Sequence, residues 1–206
     1  MAMSLREQLT GSTRTPVPPF VLLLPPGWVS VEATREAFDE LLGTVSERMR
    51  AEHRPDLDAR FRALVRRASD EFLRRDPVRL VYQRSVPAER MLPLAITAAR
   101  VAAPGGATLD AQVAELVRTR GAAPLDDARV VMRWSSDSSH RIDGGTLRTR
   151  SFDYLVAIPG TGRREALVFT AVVPLAAGGE RLDDDAAEEF GLLADAILST
   201  FRWSGA

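Results

Sequence analysis

The chain has 206 residues, of which 45% are hydrophobic and 27% are charged, and its formal net charge is -1. These values are typical of a globular protein and exclude a chain that is disordered or membrane-embedded over most of its length. Proteins that bind nucleic acid by neutralising phosphates carry a marked positive excess, so we expect no nucleic-acid partner.

The sequence contains no cysteine, lysine or asparagine. The absence of cysteine excludes disulfides, thiolate nucleophiles and cysteine-based zinc sites. Codons for lysine and asparagine are rich in A and T, so their absence indicates a GC-rich bacterium such as one of the actinobacteria. Residues 1–19 lack the apolar core of a signal peptide, and the first apolar run, Phe20–Leu24, is too short to span a membrane. We therefore expect a cytoplasmic protein with no membrane span.

The N-terminal residues 1–16 are polar, and we predict a flexible arm there, followed by one α+β domain over residues 17–206. The first strand is expected at Val17–Leu24. Two prolines and a glycine at Pro25–Gly27 end this strand, because they cannot continue a β-ladder.

Two amphipathic helices follow, joined by a short link at His53-Arg54, and together they predict an antiparallel helical hairpin at about residues 34–75. On the second helix, Arg66, Arg67 and Arg74 give a basic side that acidic residues interrupt. The apolar stripes consist of Phe38, Leu41, Leu42, Val45 and Met49 in the first helix and of Leu57, Phe61, Leu64, Val65, Ala68 and Phe72 in the second.

The middle of the chain has the patterns of short strands at Arg79–Arg84, Met91–Val101 and Arg129–Trp134. A short helix is predicted between the second and third of these, with Thr108 as its cap and Gly121 as its end. The residues expected to point inward from this helix are Leu109, Val113, Leu116 and Val117.

The clearest strand signal lies in two alternating runs, Phe152–Ile158 and Leu167–Val173, which are separated by the turn residues Pro159–Gly162. They predict a β-hairpin. A final helix is predicted after Asp185 and Glu188, which have the spacing of a capping box. Its apolar face consists of Phe190, Leu193, Ile197 and Phe201. The whole pattern indicates a central, mainly antiparallel sheet with helices on its faces.

The polar segment Ser135–Gly145 contains the strongest candidates for a metal-binding or catalytic site. Asp137, His140 and Asp143 have the spacing D-x-x-H-x-x-D, and one histidine with two carboxylates can ligate a divalent metal on a folded loop. Serine, aspartate and glycine also form turns, so we interpret the segment first as a solvated hairpin tip and predict no metal site. A serine hydrolase would depend on His140 alone, since no Gly-x-Ser-x-Gly motif occurs.

The run Phe20–Leu24 leads directly into Pro25–Trp28, and the late hairpin leads into a helix that ends in Ile197–Trp203. These segments resemble the opening strand with its P-x-G-W turn, and the closing elements, of the PsbP-like superfamily. The resemblance covers about residues 17–30 and 146–203. It implies an α/β/α sandwich, in which the 34–75 hairpin is an insertion, and a role as a binding or accessory module without catalytic residues.

We therefore predict a non-catalytic binding or accessory protein that acts through protein–protein contacts and holds no cofactor. The 34–75 hairpin is the expected partner surface, through Arg66, Arg67 and Arg74, because it departs from the rest of the pattern. Two alternatives stay open at this point. One is a small-ligand or metal-binding protein, or a hydrolase, that uses the 135–145 loop. The other is a homodimer whose interface is the hairpin.

Overall fold

The structure is a computed structural model that describes residues 16–51, 62, 66–67, 69–87, 90–127, 130–142, 145–177 and 180–204. Of the predicted N-terminal arm, only Pro16 belongs to this part of the chain. Residues 52–61, in the middle of the predicted helical hairpin, lie outside it.

In the described part of the chain, ten strands of different lengths are combined with three α-helices whose full bounds are described. The strands are β1 (Phe20–Val21), β2 (Trp28–Glu32), β3 (Pro77–Gln83), β4 (Ala95–Ala102), β5 (Ala123–Pro124), β6 (Val131–Ile142), β7 (Gly145–Ala157), β8 (Glu165–Ala177), β9 (Glu180–Arg181) and β10 (Arg202–Trp203). The helices are α1 (Arg35–Ala51), α2 (Leu109–Arg120) and α3 (Asp184–Ser199). Residues 62, 66–67 and 69–73 are also helical.

Within the described residues, seven strands form one sheet in the order β2-β3-β4-β8-β7-β6-β5, and β9 pairs with β8 at its end. Every neighbouring pair is antiparallel. The predicted α+β class with an antiparallel sheet is confirmed. The predicted late hairpin is β7 and β8, in which Tyr154 lies opposite Phe169 and Val156 opposite Leu167.

The start of the chain differs from the prediction. The expected strand at Val17–Leu24 is reduced to the two residues of β1, which pair with β10. A tight turn follows at Pro25–Trp28, in which Gly27 adopts a φ of 83° and the Trp28 amide donates to the Pro25 carbonyl at 3.1 Å. Beyond this turn β2 forms an edge strand on β3, which the sequence analysis missed. Gly27 is required here because other residues rarely adopt a positive φ.

The segment expected to be a loop at 135–145 is also different, since residues up to Ile142 belong to β6. Ser136 lies opposite Ser151 and Asp137 opposite Arg150 in the ladder with β7. Serine and aspartate are poor strand formers, but pairing with a long polar partner strand outweighs that local preference. Only the tip between β6 and β7 lies outside the described residues.

The helix ends agree with the predictions in part. Thr34 Oγ1 accepts from the Ala37 amide at 3.3 Å at the start of α1. Thr108 precedes α2 as predicted, but its side chain makes no capping hydrogen bond, and Gly121 ends α2 with a φ of 65°. At α3 the capping residue is Asp183, whose carboxylate accepts from the Ala186 amide at 2.7 Å, and not the predicted Asp185.

The main hydrophobic core lies between one face of the sheet and α3. It includes the strand residues Val81, Ile96, Ala98, Val131, Phe152, Tyr154, Val156, Leu167, Phe169, Ala171 and Val173 and the helix residues Ala187, Ala194, Ile197 and Leu198. We call this side of the sheet the α3 face. The predicted apolar face of the final helix is thus confirmed for Ile197 and Phe201, while Phe190 and Leu193 pack against the core only in part.

The opposite face carries two smaller cores, one at each end of the sheet. Near the β2 edge, Phe38 of α1 and Phe72 pack on Leu80 and Tyr82 of β3. Near the β5 edge, Leu109 of α2 is buried with residues of β6, β7 and β8. Val117, which we expected to point inward from α2, is 47% exposed. None of the helices among the described residues is both long and apolar enough to cross a membrane.

Candidate functional site

A row of side chains crosses the second face between the two smaller cores. The register places Thr97 of β4 between Leu80 of β3 and Thr170 of β8, and it places Asp153 of β7 between Thr170 and Trp134 of β6. Leu80 belongs to the core under α1, and Trp134 packs against the core under α2. The residues between these two ends therefore lie in the gap that separates the helices.

This gap is open to solvent at its centre. Although β8 is the middle strand of the seven, its Val172 is 41% exposed, whereas the next residue, Val173 on the α3 face, is 0% exposed. Val172 lies opposite Ser151, which in turn lies opposite Ser136 of β6. Alternation along the strands puts all of these residues except Val173 on the same face. We call Thr97, Ser136, Ser151, Asp153, Thr170 and Val172 the open strip.

Two hydroxyl groups hold the Asp153 carboxylate in this strip. Thr170 Oγ1 donates to Oδ1 at 2.7 Å, and Ser151 Oγ donates to Oδ2 at 3.0 Å. Ser136 Oγ lies 2.9 Å from Ser151 Oγ. Because a hydroxyl has a single proton and a charged acceptor binds it more strongly than a neutral one, we orient the Ser151 proton toward Asp153 and make Ser136 the donor to Ser151. Three hydroxyl groups thus converge, directly or in relay, on one carboxylate.

The charge of Asp153 is only partly compensated. The side chain is half-buried, and this burial raises the pKa of its carboxyl group above the usual aspartate value. The hydrogen bonds from Thr170 and Ser151, and the more distant guanidinium of Arg120, lower that pKa in part. No cationic group among the described residues forms an ion pair with Asp153. A half-buried carboxylate in this situation is a candidate for a functional group.

Other charged residues near the sheet are engaged in ion pairs that join secondary-structure elements. Arg150 of β7 donates to both oxygens of Asp137, at 2.8 and 3.1 Å, and pairs with Asp184 and Glu188 of α3 at 3.1 and 3.0 Å. The hydrogen bond from Arg150 holds the pKa of Asp137 below its usual range. This cluster fastens α3 to β6 and β7.

A second buried group lies beneath α3. The Tyr154 hydroxyl donates to Asp195 Oδ1 at 2.7 Å, and Arg133 Nε donates to the same oxygen at 3.1 Å. The Arg133 guanidinium also lies over the Phe152 ring, 5.3 Å from its centroid. Burial raises the pKa of Tyr154, so the phenol keeps its proton and remains a donor to α3. The group therefore anchors the helix to the sheet.

Of the predicted metal-site candidates Asp137, His140 and Asp143, only Asp137 has a side chain in the described part of the chain. Asp137 is bound to Arg150, and His140 lies opposite Leu147 in the β6–β7 ladder. Asp143 and the side chain of His140 lie outside the described residues. Among those that are described, no group of three or more histidine, aspartate or glutamate residues could hold a metal ion.

The arginines of the predicted partner surface have different environments. Arg66 and Arg67 are exposed, and neither guanidinium forms an ion pair or hydrogen bond with another described residue. Arg74 Nε, in contrast, donates to the Asp70 carbonyl one turn earlier at 3.0 Å. The Asp70 carboxylate pairs with Arg35 of α1 at 2.7 Å, which ties the second helical segment to the first. Of these three arginines, Arg66 and Arg67 are thus the two whose guanidinium groups form no ion pair or hydrogen bond with another described residue.

The open strip has no distinctive pattern in the sequence. Ser151 and Asp153 are visible as the polar positions on either side of Phe152, but this alternation is typical of any strand with one solvated face. The informative signal is the pairing of Asp153 with Thr170 across the predicted hairpin. Thr97, which completes the row, is 73 residues away from Thr170 in the sequence, so only the fold places it there.

No protein-family model matches the chain, and no curated protein matches it in sequence. The geometry of the described residues is therefore the basis for a functional assignment.

Proposed function

We propose that this chain is a non-catalytic binding or accessory protein of the cytoplasm of a bacterium with a GC-rich genome. The observation that carries the proposal is the open strip, where Val172 of the central strand is 41% exposed beside the half-buried Asp153. The inner strands of a sheet are normally covered on both faces in folds that carry helices on both sides. An uncovered area with convergent polar groups is typical of a surface that a ligand or partner completes.

A PsbP-like architecture is part of the proposal: an α/β/α sandwich with the 34–75 hairpin as an insertion. The turn at Pro25–Trp28 and the long hairpin of β7 and β8 support it, as does α3, which leads into the strand β10 paired with β1. The resemblance implies binding or accessory roles. A shared architecture does not identify the partner, which depends on particular surfaces.

The non-catalytic part of the proposal is supported by the way in which the charged groups are used. A general acid or base must exchange a proton with a substrate that it can reach. Asp137 and Asp195 accept hydrogen bonds from Arg150 and Arg133, and Arg100 pairs with Glu165 in the interior. These pairs hold strands and helices together, which is a structural use of charge.

For a protein partner we propose the outer side of the 34–75 hairpin, at Arg66 and Arg67. Both side chains are exposed, and both lack an acidic partner among the described residues. A partner with an acidic surface would supply complementary charge, which accelerates association and selects against basic proteins. Arg74 is less suited to this role because its Nε already donates to the backbone of its own helix.

Charge reversal tests this surface. The full chain would be used as bait for proteins of its source cell, in wild-type form, as Arg66→Glu/Arg67→Glu, and as Arg118→Glu/Arg163→Glu. The last variant changes net charge equally at two exposed arginines that pair with Glu115 and Asp110 at the other end of the molecule. We expect a partner that the wild type and the control retain and the first variant loses. Full retention by the first variant would contradict the assignment of the hairpin surface.

Light scattering of the purified chain tests the remaining alternative, in which the hairpin is the interface of a homodimer. We expect a monomer in the absence of a partner. A dimer that Arg66→Glu/Arg67→Glu converts to a monomer would replace the hetero-partner assignment with self-association.

A further inference from the structure

Among the described residues, Asp153 stands out as a half-buried carboxylate that has no structural ion pair. Each of its two oxygens already accepts one hydroxyl hydrogen bond from the sheet, from Thr170 and Ser151. An ionised carboxylate has about four acceptor sites, so roughly one on each oxygen is left for another donor. The known partners are all neutral, and the nearest cation that acts on it, Arg120, does so only at a distance.

We infer that Asp153, with the hydroxyl groups of the open strip around it, binds the ammonium group of a small primary amine. The inference rests on the proposed binding function and adds to it the chemical class of the ligand. Charge complementarity carries it: a half-buried carboxylate without a contacting cation binds a cationic ligand better than a neutral or anionic one.

The arrangement of donors and acceptors favours an ammonium group over a hydroxylated ligand. An ammonium group has three donors and no acceptor. Thr170 and Ser151 direct their protons to Asp153, and Ser136 directs its proton to Ser151. Because these hydroxyl protons are used within the strip, the oxygen lone pairs are what remains to accept hydrogen bonds from a ligand. Thr97 Oγ1 likewise directs its proton to the Thr170 carbonyl, at 3.4 Å, which leaves its own lone pairs available.

The size of the strip favours a small molecule. Between the core under α1 and the core under α2, the row consists of the partly buried residues Thr97, Thr170 and Asp153 on three adjacent strands. Two inter-strand spacings amount to about 10 Å, which is the width of a small organic compound. The exposed methyl groups of Val172, next to this row, provide an apolar surface for a short alkyl chain.

Titration with n-butylammonium chloride, followed by the amide NMR signals of the full chain, tests the inference. The neutral isostere n-butanol is the matched probe, and Asp153→Asn is the matched variant. Asp110→Asn is the control, since it removes one carboxylate that pairs with Arg163 at the N-terminal end of α2. We expect shifts confined to Ser151, Asp153, Thr170 and their neighbours. The affinity should fall about tenfold or more in Asp153→Asn, as is usual for the loss of a charged hydrogen bond, and remain unchanged in Asp110→Asn.

Equal binding of n-butanol, or equal binding of n-butylammonium to Asp153→Asn, would overturn the inference. The inference would also be overturned if a Gly-Lys-Gly peptide bound while n-butylammonium did not. That result would indicate that the strip binds a lysine side chain of a partner protein and not a small amine. If Val172 proves accessible but no amine binds, the inference fails while the binding proposal stands. If Val172 proves inaccessible, the binding proposal fails with it.

A second variant, Thr170→Val, separates the binding role from a merely structural one. Butylammonium keeps its charge in acid, so its binding should be lost as the pH falls through the pKa of Asp153. The hydrogen bond from the Thr170 hydroxyl lowers the pKa of Asp153, so removing this hydroxyl raises the pKa. The loss of binding should therefore move to a higher pH. The groups that face Asp153 from β4, β6 and β8 are neutral, and Arg120 of α2 is the charged one. An unchanged pH profile in a folded Thr170→Val variant would contradict the assignment.

Discussion

We expect Asp153 to reduce the stability of the protein at neutral pH, because the fold holds its carboxyl group in a half-buried position without an ion pair among the described residues. Burial raises the pKa of this group above the usual aspartate value of 3.8, and two hydroxyl hydrogen bonds offset the effect only in part. The folded chain therefore binds this proton more tightly than the unfolded chain. By linkage, the contribution of Asp153 to the free energy of unfolding is most favourable when the pH is below 3.8. It decreases as the pH rises through the pKa that Asp153 has in the folded protein.

We predict from this sign that Asp153→Asn gains stability relative to the wild type as the pH is raised. Urea unfolding of both proteins between about pH 3 and pH 8 measures the difference across the range in which aspartate titrates. Asp110→Asn is the control of opposite sign, since the hydrogen bond from Arg163 lowers the pKa of Asp110. That variant should lose stability relative to the wild type over the same rise in pH. Parallel pH profiles for wild type and Asp153→Asn would refute the prediction.

Which single residues matter was harder to predict from the sequence than which segments fold. Ser151 and Asp153 share one face of a predictable strand, but nothing local distinguishes them from ordinary solvated positions. Asp137 and His140 stood out because they are close in sequence, and β6 then places them three residues apart on a pleated strand. Asp137 and His140 are close in the sequence itself, whereas Asp153 and Thr170 are brought together only by the β7–β8 ladder.

The packing of α3 on the sheet depends on its smallest residue. Gly191 lies over the Phe152 ring so closely that an added Cβ would be 2.5 Å from the nearest ring carbon. Phe152 is 0% exposed, so its ring is enclosed by neighbouring residues and not by solvent. This close approach, together with Ala187 and Ala194 on the same side of the helix, sets the distance between α3 and the sheet.

We predict that Gly191→Ala destabilises the protein by about 1–2 kcal/mol, because overpacking outweighs the better helix propensity of alanine. Gly43→Ala in α1 is the matched control, as nothing lies within 4 Å of its added Cβ. That control should stabilise the protein by about 0.5–1 kcal/mol through helix propensity alone. Chemical denaturation of both variants provides the comparison. A gain of stability in both variants would show that α3 does not approach Phe152 this closely.

Elements with a strong local period were predictable, and elements defined by a distant partner were not. The hairpin of β7 and β8, the helix α1 after Thr34, and the helix α2 before Gly121 follow from alternation, helical spacing and end residues. In contrast, β2 forms because it pairs with β3, about 50 residues later in the chain. Its five residues follow two prolines and a glycine, which in the sequence indicate the end of a strand and not the start of one. The polar part of β6 is likewise a strand because β7 lies beside it.

At the scale of the molecule, the second face of the sheet is unevenly covered. One small core forms where α1 and Phe72 pack on β3, and the other forms where α2 packs on β6 to β8. The pairing of β4 with β8 brings Thr97 to Thr170 and leaves the middle of the sheet between the two cores. The sequence indicates helices on both faces, but it does not indicate how far apart the helices of one face are, since that distance depends on the strand order.

The central claim is that this middle region is open to a ligand, and the reactivity of single introduced thiols tests it most directly. The chain contains no cysteine, so Val172→Cys and Val173→Cys each provide one thiol, on opposite faces of the same central strand. Val172 is 41% exposed and Val173 is 0% exposed, so reaction with a thiol reagent under native conditions should differ sharply between them. We predict that Val172→Cys reacts at least about a hundredfold faster, because a buried thiol reacts only after the structure opens. Equal protection of both thiols would contradict the account, since it would show that the strip is covered.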